Sequence, residues 1–206
     1  MTHTVCLLPG DGIGPEVTSA ARQVIEASGV AIEWVLLPAG ATALEFCGSV
    51  LPERTIAAIE GHGIALKGPI TTPIGGGHGS VNVQLRKRLN LFAAVRPVRS
   101  LPGIKTRFEN VELVIIRENT EGLYSGIENE IVEGVVQSLK IATEKACTRI
   151  ARFAFDYAGS RGRRKITVFH KANILKMSDG LFLRCVRKVG KEYADRVACD
   201  ELIIDN

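Results

Sequence analysis

The sequence predicts an α/β fold with a largely parallel sheet. Three observations carry that expectation. Short apolar, β-branched runs recur along the chain, as in "TVCLLP", "IEWVLLP" and "VELVIIRE". Segments with apolar residues at helical spacing separate them. Glycine and proline mark the joints. Strands that alternate with helices pair in parallel, because a parallel crossover needs a connection long enough for a helix.

The elements follow in order. "TVCLLP" (4–9) reads as a buried strand, and "GDGIGPEV" turns it into a helix. Pro15 suits the first helical turn, and Val17, Ala20, Ala21, Val24 and Ile25 then recur at helical spacing. "IEWVLLP" (32–38) is a second strand, and residues 52–60 form a short helix ended by Gly61 and Gly63. "GIALKGP" (63–69) is a strand running into a loop. "NVQLRKRL" (82–89) is a helix and "FAAVRPV" (92–98) a strand. "VELVIIRE" (111–118) is the clearest strand, continuous and β-branched. Residues 135–159 read as one long amphipathic helix stopped by Gly159. "KITVFHK" (165–171) is a strand, and residues 177–194 are a helix weakened by Gly180.

Length and composition set the bounds. The chain has 206 residues, 46% hydrophobic and 23% charged, enough for one large domain or two small ones. Proline, glycine and basic residues cluster at 98–108, where a boundary is expected, giving domains 1–98 and 99–206. A net charge of +4, with one Trp and three Tyr, argues against nucleic acid as a partner. Arg161, Arg163, Arg164 and Lys165 read as a solvated loop beside a strand. No apolar run approaches the roughly 20 residues that span a bilayer, so no membrane partner is expected. "MTHTVCLLPGDG" lacks the pattern of a secretory leader. Cys6, Cys47, Cys147, Cys185 and Cys199 are scattered, with no C-x-x-C, as expected of reduced thiols in a cytoplasmic protein.

Two glycine-rich loops admit two uses. "GDGIGPE" is G-x-G-x-G, not G-x-G-x-x-G, and no acidic residue closes a second strand at the distance a dinucleotide site needs. A tight strand-to-helix turn is the favoured reading over a cofactor loop. "PIGGGHGS" (73–80) lets a backbone approach a ligand, or lets a loop open and close.

Ser80, Asn82, Arg86 and Arg96 lie close together in "GSVNVQLRKRLNLFAAVRPV", and Arg117 ends the clearest strand. Open α/β sheets bind ligands at strand ends. Three guanidiniums with hydroxyl and amide donors suit a ligand carrying several carboxylates, since each can grip one bidentately. Surface salt-bridging is the alternative for any one of them, and spacing alone does not choose.

"LLPGDGIGPEV", "LKGPITTPIGGGHGSVNVQLRKRLNLFAAVRPV", "IIRENTEGLYSGIE" and "VFHKANILKMSDGLF" together resemble the β-decarboxylating dehydrogenases, the isocitrate/isopropylmalate dehydrogenase family. "GHGSVNVQLR" is similar to the isocitrate-specific type within it. The resemblance covers essentially the whole chain and implies a two-domain isocitrate/isopropylmalate dehydrogenase-like fold. It implies oxidative decarboxylation of isocitrate to 2-oxoglutarate and CO2, with NAD or NADP and with Mg2+ or Mn2+. "HKANILKMSDGLFL" reads closer to the NAD-linked type.

By resemblance, Ser80, Asn82, Arg86, Arg96 and Arg117 bind isocitrate. Thr71 and Thr72 meet the nicotinamide end of the cofactor, Asn173 lies near it, and Lys67 lies near the site. Tyr124 and Lys171 handle protons. A tyrosine ordinarily titrates near ~10, so a neighbouring ammonium suits it as a proton relay. Asp205 is the expected metal ligand. The resemblance also implies a homodimer with shared active sites, in which Lys171, Asn173 and Asp205 reach the neighbouring subunit. Being a hydroxyl at a substrate carboxylate, Ser80 is a candidate off-switch by phosphorylation.

Family members are expected to continue past Asn206 with further metal-binding aspartates and an adenosine loop. On that expectation the chain is an N-terminal portion with an incomplete large domain. Residues 1–98 begin the large domain, and 99–206 form a small domain with a clasp at about 122–137. Such a chain alone is expected to turn over isocitrate poorly. The alternatives are a related 2-hydroxy acid dehydrogenase acting on isopropylmalate or homoisocitrate, and a non-catalytic regulatory subunit.

Overall fold

The computed structural model describes residues 2–73 and 79–205. Most of the second glycine-rich loop, residues 74–78, lies outside the described residues. The chain forms two compact units, Met1–Asn90 and Leu91–Asn206.

The first unit is built on β1 (His3–Leu8), which pairs in parallel with β2 (Ile32–Leu36) on one side and β3 (Ala65–Lys67) on the other. As the central strand it buries Val5, Cys6, Leu7 and Leu8 in an unbroken run, the pattern of a strand covered on both faces. Helices α1 (Gly14–Ala27), α2 (Ala41–Cys47), α3 (Glu53–His62) and α4 (Val81–Arg88) complete it. The core joins Cys6 and Leu8 to Leu51, Ile56, Val81 and Leu85. Val81 and Leu85 anchor α4, and burying each contributes roughly 1.5–3 kcal/mol. The polar residues of that helix are thereby held in fixed positions.

The glycines of "GDGIG" serve backbone-on-backbone packing. Gly10 has φ +83°, and a Cβ there would lie 1.8 Å from the Pro69 carbonyl oxygen. A Cβ on Gly68 would lie 2.0 Å from the Pro9 carbonyl oxygen. The Asp11 N–H donates to the Pro69 oxygen at 2.8 Å. The turn after β1 is thus pressed against the chain leaving β3, as a tight-turn reading requires.

The second unit pairs β4 (Ala93–Arg99) with β5 (Glu112–Glu118), and β6 (Gly122–Val132) with β7 (Val135–Ile141), both antiparallel. It pairs β8 (Lys165–His170) with β9 (Ala198–Ile203) in parallel. Helices α5 (Glu144–Ser160) and α6 (Ser178–Lys191) pack with β8 around Phe155, Leu183, Val186 and Val189. The expectation of a largely parallel sheet is corrected: among the described residues, strands form four separate small sheets, two of them antiparallel. The proline- and glycine-rich stretch 98–108 is the connection between paired strands β4 and β5, so it joins neighbours within one unit.

The single helix expected over 135–159 is also corrected. Residues 135–141 are β7, and the helix starts only at Glu144. Thr143 stands in extended geometry, φ −113°, and its hydroxyl accepts the Ala146 N–H at 3.2 Å. That cap begins the helix. The β-branched pair Val135 and Val136 belongs to a hairpin turned by Glu133 and Gly134, with Gly134 at φ +77°. Much of this hairpin is apolar and exposed, as at Leu123, Ile131, Val132 and Val136.

All five cysteines are free. Burial pushes the Cys147 thiol up to about 11, which leaves it protonated and unreactive near neutrality. A cavity of about 1460 Å³ opens within the second unit. Its lining takes in every residue of β5 and residues 165–169 of β8, with parts of α5 and α6.

Gly10→Ala is expected to cost about 3 kcal/mol or more, because left-handed strain adds to a clash with main chain that cannot yield. Gly12 has φ +58° but open space around its Cβ position. Gly12→Ala should therefore cost only about 1–2 kcal/mol. Urea denaturation of the two variants checks the difference.

Candidate functional site

In the first unit the site residues cluster around α4 and the turn after β1. Ser80 is the N-cap of α4, and its hydroxyl accepts the Val83 N–H at 3.4 Å. Asn82 and Arg86 are four residues apart and share one helix face. Asp11 is 9% exposed, and its carboxylate accepts the Ala41 N–H at 2.9 Å and the Thr71 N–H at 3.2 Å. Thr71 is thereby tied to the turn after β1, and Thr72 follows it on the surface. Burial pushes the Lys67 ammonium below its ordinary range, and Arg86 adds to the effect against the opposing pull of Asp11. Lys67 donates to the Gly68 carbonyl at 2.5 Å. The first unit therefore gathers Lys67 and Arg86 as cations beside Asp11 and the loop bearing Thr71.

In the second unit the β4–β5 register sets Arg96 opposite Ile115 and Arg117 opposite Ala94. The two arginines are diagonal neighbours on one face of the ribbon. The Arg117 guanidinium lies 4.7 Å from the centre of the Tyr124 ring. That contact depends on the turn "ENTEG" (118–122) between β5 and β6. The Glu118 carboxylate accepts the Thr120 N–H (2.9 Å), the Thr120 hydroxyl (2.6 Å) and the Glu121 N–H (2.8 Å). Arg149 of α5 approaches Glu118 at 3.5 Å. The Glu121 carboxylate in turn accepts the Thr143 N–H and hydroxyl at 2.9 and 2.7 Å.

Lys171 and Asp205 stand just beyond the ends of the parallel pair β8 and β9, where His170 is in register with Ile203. They form an ion pair. Asn173 is exposed in the turn that follows Lys171.

The structure thus places Thr71, Thr72, Ser80, Asn82 and Arg86 in the first unit. Arg96, Arg117, Tyr124, Lys171, Asn173 and Asp205 are in the second. It joins Arg117 to Tyr124 and Lys171 to Asp205. The residues that hold these groups, Asp11, Glu118 and Asp179, which accepts the Lys171 N–H at 2.8 Å, escaped the sequence reading. Glu118 and Thr120 carried a readable signal, since an acidic side chain two and three residues before N–H groups is a local capping pattern.

Among the described residues, no three carboxylate, imidazole or thiol side chains converge as a metal-binding group. Asp205 is engaged by Lys171. These donors alone do not make up a divalent-cation site.

Residues 4–206 match the model of the isocitrate/isopropylmalate dehydrogenase family. The chain belongs to that family. Among its relatives in the isocitrate/isopropylmalate dehydrogenase family is a probable mitochondrial NAD isocitrate dehydrogenase subunit alpha of Drosophila melanogaster. It is 50% identical over 194 residues, which cover 94% of this chain and 52% of the relative. A chloroplastic 3-isopropylmalate dehydrogenase of Solanum tuberosum is 48% identical, covering 97% of this chain and 56% of the relative. A crystal structure of isocitrate dehydrogenase from Methylococcus capsulatus superposes with a TM-score of 0.93 at 49% identity, covering 98% of this chain and 61% of that one. The chain spans about half the length of the curated relatives it matches. Among the described residues, no helix is long and apolar enough to cross a membrane.

The acidic groups near the site set an acid limit on stability. Burial alone would raise the Asp179 carboxyl, but hydrogen bonds from Lys140 and from the Lys171 N–H outweigh it and hold it low. Two hydrogen bonds from Arg187 hold Glu201 low, against a smaller effect of burial. A carboxylate lowered in the folded state stabilises it above the unfolded value and loses that contribution as pH falls through the folded value. Unfolding free energy should therefore stay level down to about pH 5 and fall below about pH 4. Glu201→Gln should flatten that decline by at most about 1 kcal/mol, since the pair is partly exposed. Urea unfolding across pH 3–7 measures it.

Proposed function

We propose that this protein acts in the NAD-linked oxidative decarboxylation of isocitrate to 2-oxoglutarate and CO2. The observation that carries the reading is the Arg117 guanidinium against the Tyr124 ring. It sets a carboxylate-binding cation beside a phenol able to donate a proton. Arg96, on the same face as Arg117, offers a second guanidinium, and Ser80, Asn82 and Arg86 offer hydroxyl, amide and cationic donors on the first unit. A tricarboxylate matches that donor set, each arginine gripping one carboxylate.

The cofactor supplies the hydride acceptor at C2 of isocitrate, with NAD favoured and NADP the alternative. Thr71, held by Asp11, and Thr72 and Asn173 are the proposed contacts at its nicotinamide end. Oxidation at C2 makes the β-carboxyl group labile, and CO2 leaves with its bonding electrons left on carbon. Tyr124 then delivers a proton to that carbon, and Lys171 replenishes the phenol. Asp205 would supply one carboxylate ligand to a divalent cation, Mg2+ or Mn2+, which would stabilise the negative charge that develops on the substrate. A homodimer with shared sites is part of the same proposal, supported by the exposed apolar side chains of the β6–β7 hairpin. The free cysteines suit a reducing compartment such as the cytoplasm.

Isocitrate should raise the melting temperature of the protein, and isopropylmalate and homoisocitrate should not. Arg96→Ala should weaken isocitrate binding about 10- to 100-fold, from the loss of one bidentate pair. Titration by thermal shift or calorimetry checks both, and tighter binding of isopropylmalate would overturn the reading. Tyr124→Phe should leave isocitrate binding within about threefold while cutting turnover by about 10²–10⁴, the usual worth of a positioned proton donor. Spectrophotometric assay of NADH formation reads the loss.

A further inference from the structure

We infer that Asp179 is the positioning residue for Lys171. The inference rests on the proposed proton-handling role of Lys171, but its geometry is independent of that role. Asp179 lies in the first turn of α6, where an acidic residue ordinarily caps its own helix. Here it does not. The main-chain N–H groups of Asp179 and Gly180 go to the Leu175 carbonyl, and the N-cap residue Met177 makes no side-chain cap bond. The carboxylate is turned outward instead. One oxygen accepts the Lys171 N–H at 2.8 Å, and the other takes the Lys140 ammonium of β7.

The consequence lies in where Lys171 stands. It is the first residue past β8, so the strand's own pairing no longer holds its main chain. The Lys171 carbonyl accepts from Ile174 and Leu175, which closes the turn ahead of it. The Ala172 N–H is taken by Nδ1 of His170. With the Lys171 N–H on Asp179, both main-chain groups of Lys171 are engaged, and its side chain leaves the end of β8 toward Asp205. The Asp179 side chain is only 13% exposed, so water replaces it poorly. Lys140 neutralises the carboxylate and links the turn to the β6–β7 hairpin. The side chain at 179 therefore sets the direction of an amine that touches the reacting region, without touching that region itself.

Amide hydrogen exchange on the whole chain, read residue by residue, tests this. In Asp179→Ala the Lys171 N–H should exchange at least about tenfold faster, while Val186 and Val189 within α6 keep their protection. Asp179→Asn keeps an oxygen acceptor and should restore most of the Lys171 protection. Lys140→Met should leave that N–H within about threefold of the parent. Unchanged exchange at Lys171 in Asp179→Ala would overturn the inference. So would loss of protection along all of α6, which would make Asp179 a stabiliser of the helix alone. Turnover supplies a separate reading. Asp179→Ala should lower kcat about 10- to 100-fold with KM for isocitrate within about threefold, because a displacement of about 1 Å in a reacting group is costly. If the parent protein fails to bind isocitrate, the proposed function falls while the exchange result still decides the role of Asp179.

Discussion

The candidate site depends on carboxylates that accept main-chain N–H groups where strands end. Asp11 holds the start of α2 and the loop bearing Thr71. Glu118 closes the turn after β5 that brings Tyr124 to Arg117. Glu121 ties that turn to the N-cap of α5. Asp179 fixes Lys171 past the end of β8. A strand end leaves N–H groups that the sheet no longer satisfies, and an ionised acceptor satisfies them more strongly than a neutral one. The candidate side chains Thr71, Tyr124 and Lys171 ride on main chain that acidic residues hold in place.

This division of labour explains the mixture of charges around the site. On the proposed function, Arg86 in the first unit and Arg96, Arg117 and Lys171 in the second are the cations offered to a polyanionic ligand. Asp11, Glu118 and Asp179 are engaged by main-chain N–H groups. Glu118, for example, takes two N–H groups and a hydroxyl and also faces Arg149. Lys67 is the exception among the cations, since burial and Arg86 both work against its charge. Its ammonium turns to the Gly68 carbonyl, the main chain that packs against the turn after β1.

Much of the fold was legible where one strong local signal governed. The unbroken apolar run of β1, the Pro15 start of α1 and the β-branched β5 all stand where their residues indicate. Legibility failed where two signals overlapped. The apolar spacing of 135–159 fits a helix throughout, yet Thr143 caps one only at Glu144, and Val135 and Val136 pair across a hairpin. β9 was hidden within "ACDELI", where charge masked a strand paired along one edge with β8. Short α2 begins at glycine and lacks a side-chain cap, so nothing local announced it. At the site, Arg117 and Tyr124 were readable as residue types. Their contact was not, because the turn that sets it is also tied by Glu121 to Thr143, 22 residues away. Asp11 and Asp179 were unreadable for a related reason: the N–H groups they accept lie 30, 60 and 8 residues away.

Among the described residues, β5 pairs only with β4 and β8 only with β9, and the apolar cavity lies along both strands. Apart from the Glu112 carbonyl, which accepts from Arg163, each therefore offers main-chain groups that no neighbouring strand pairs, beside side chains such as Ile115 and Phe169 that stand half in water. Two molecules meeting there can zip together through main-chain hydrogen bonds without any sequence-specific fit. Recovery from denaturant is then a contest between a first-order and a second-order process, and dilution decides the winner.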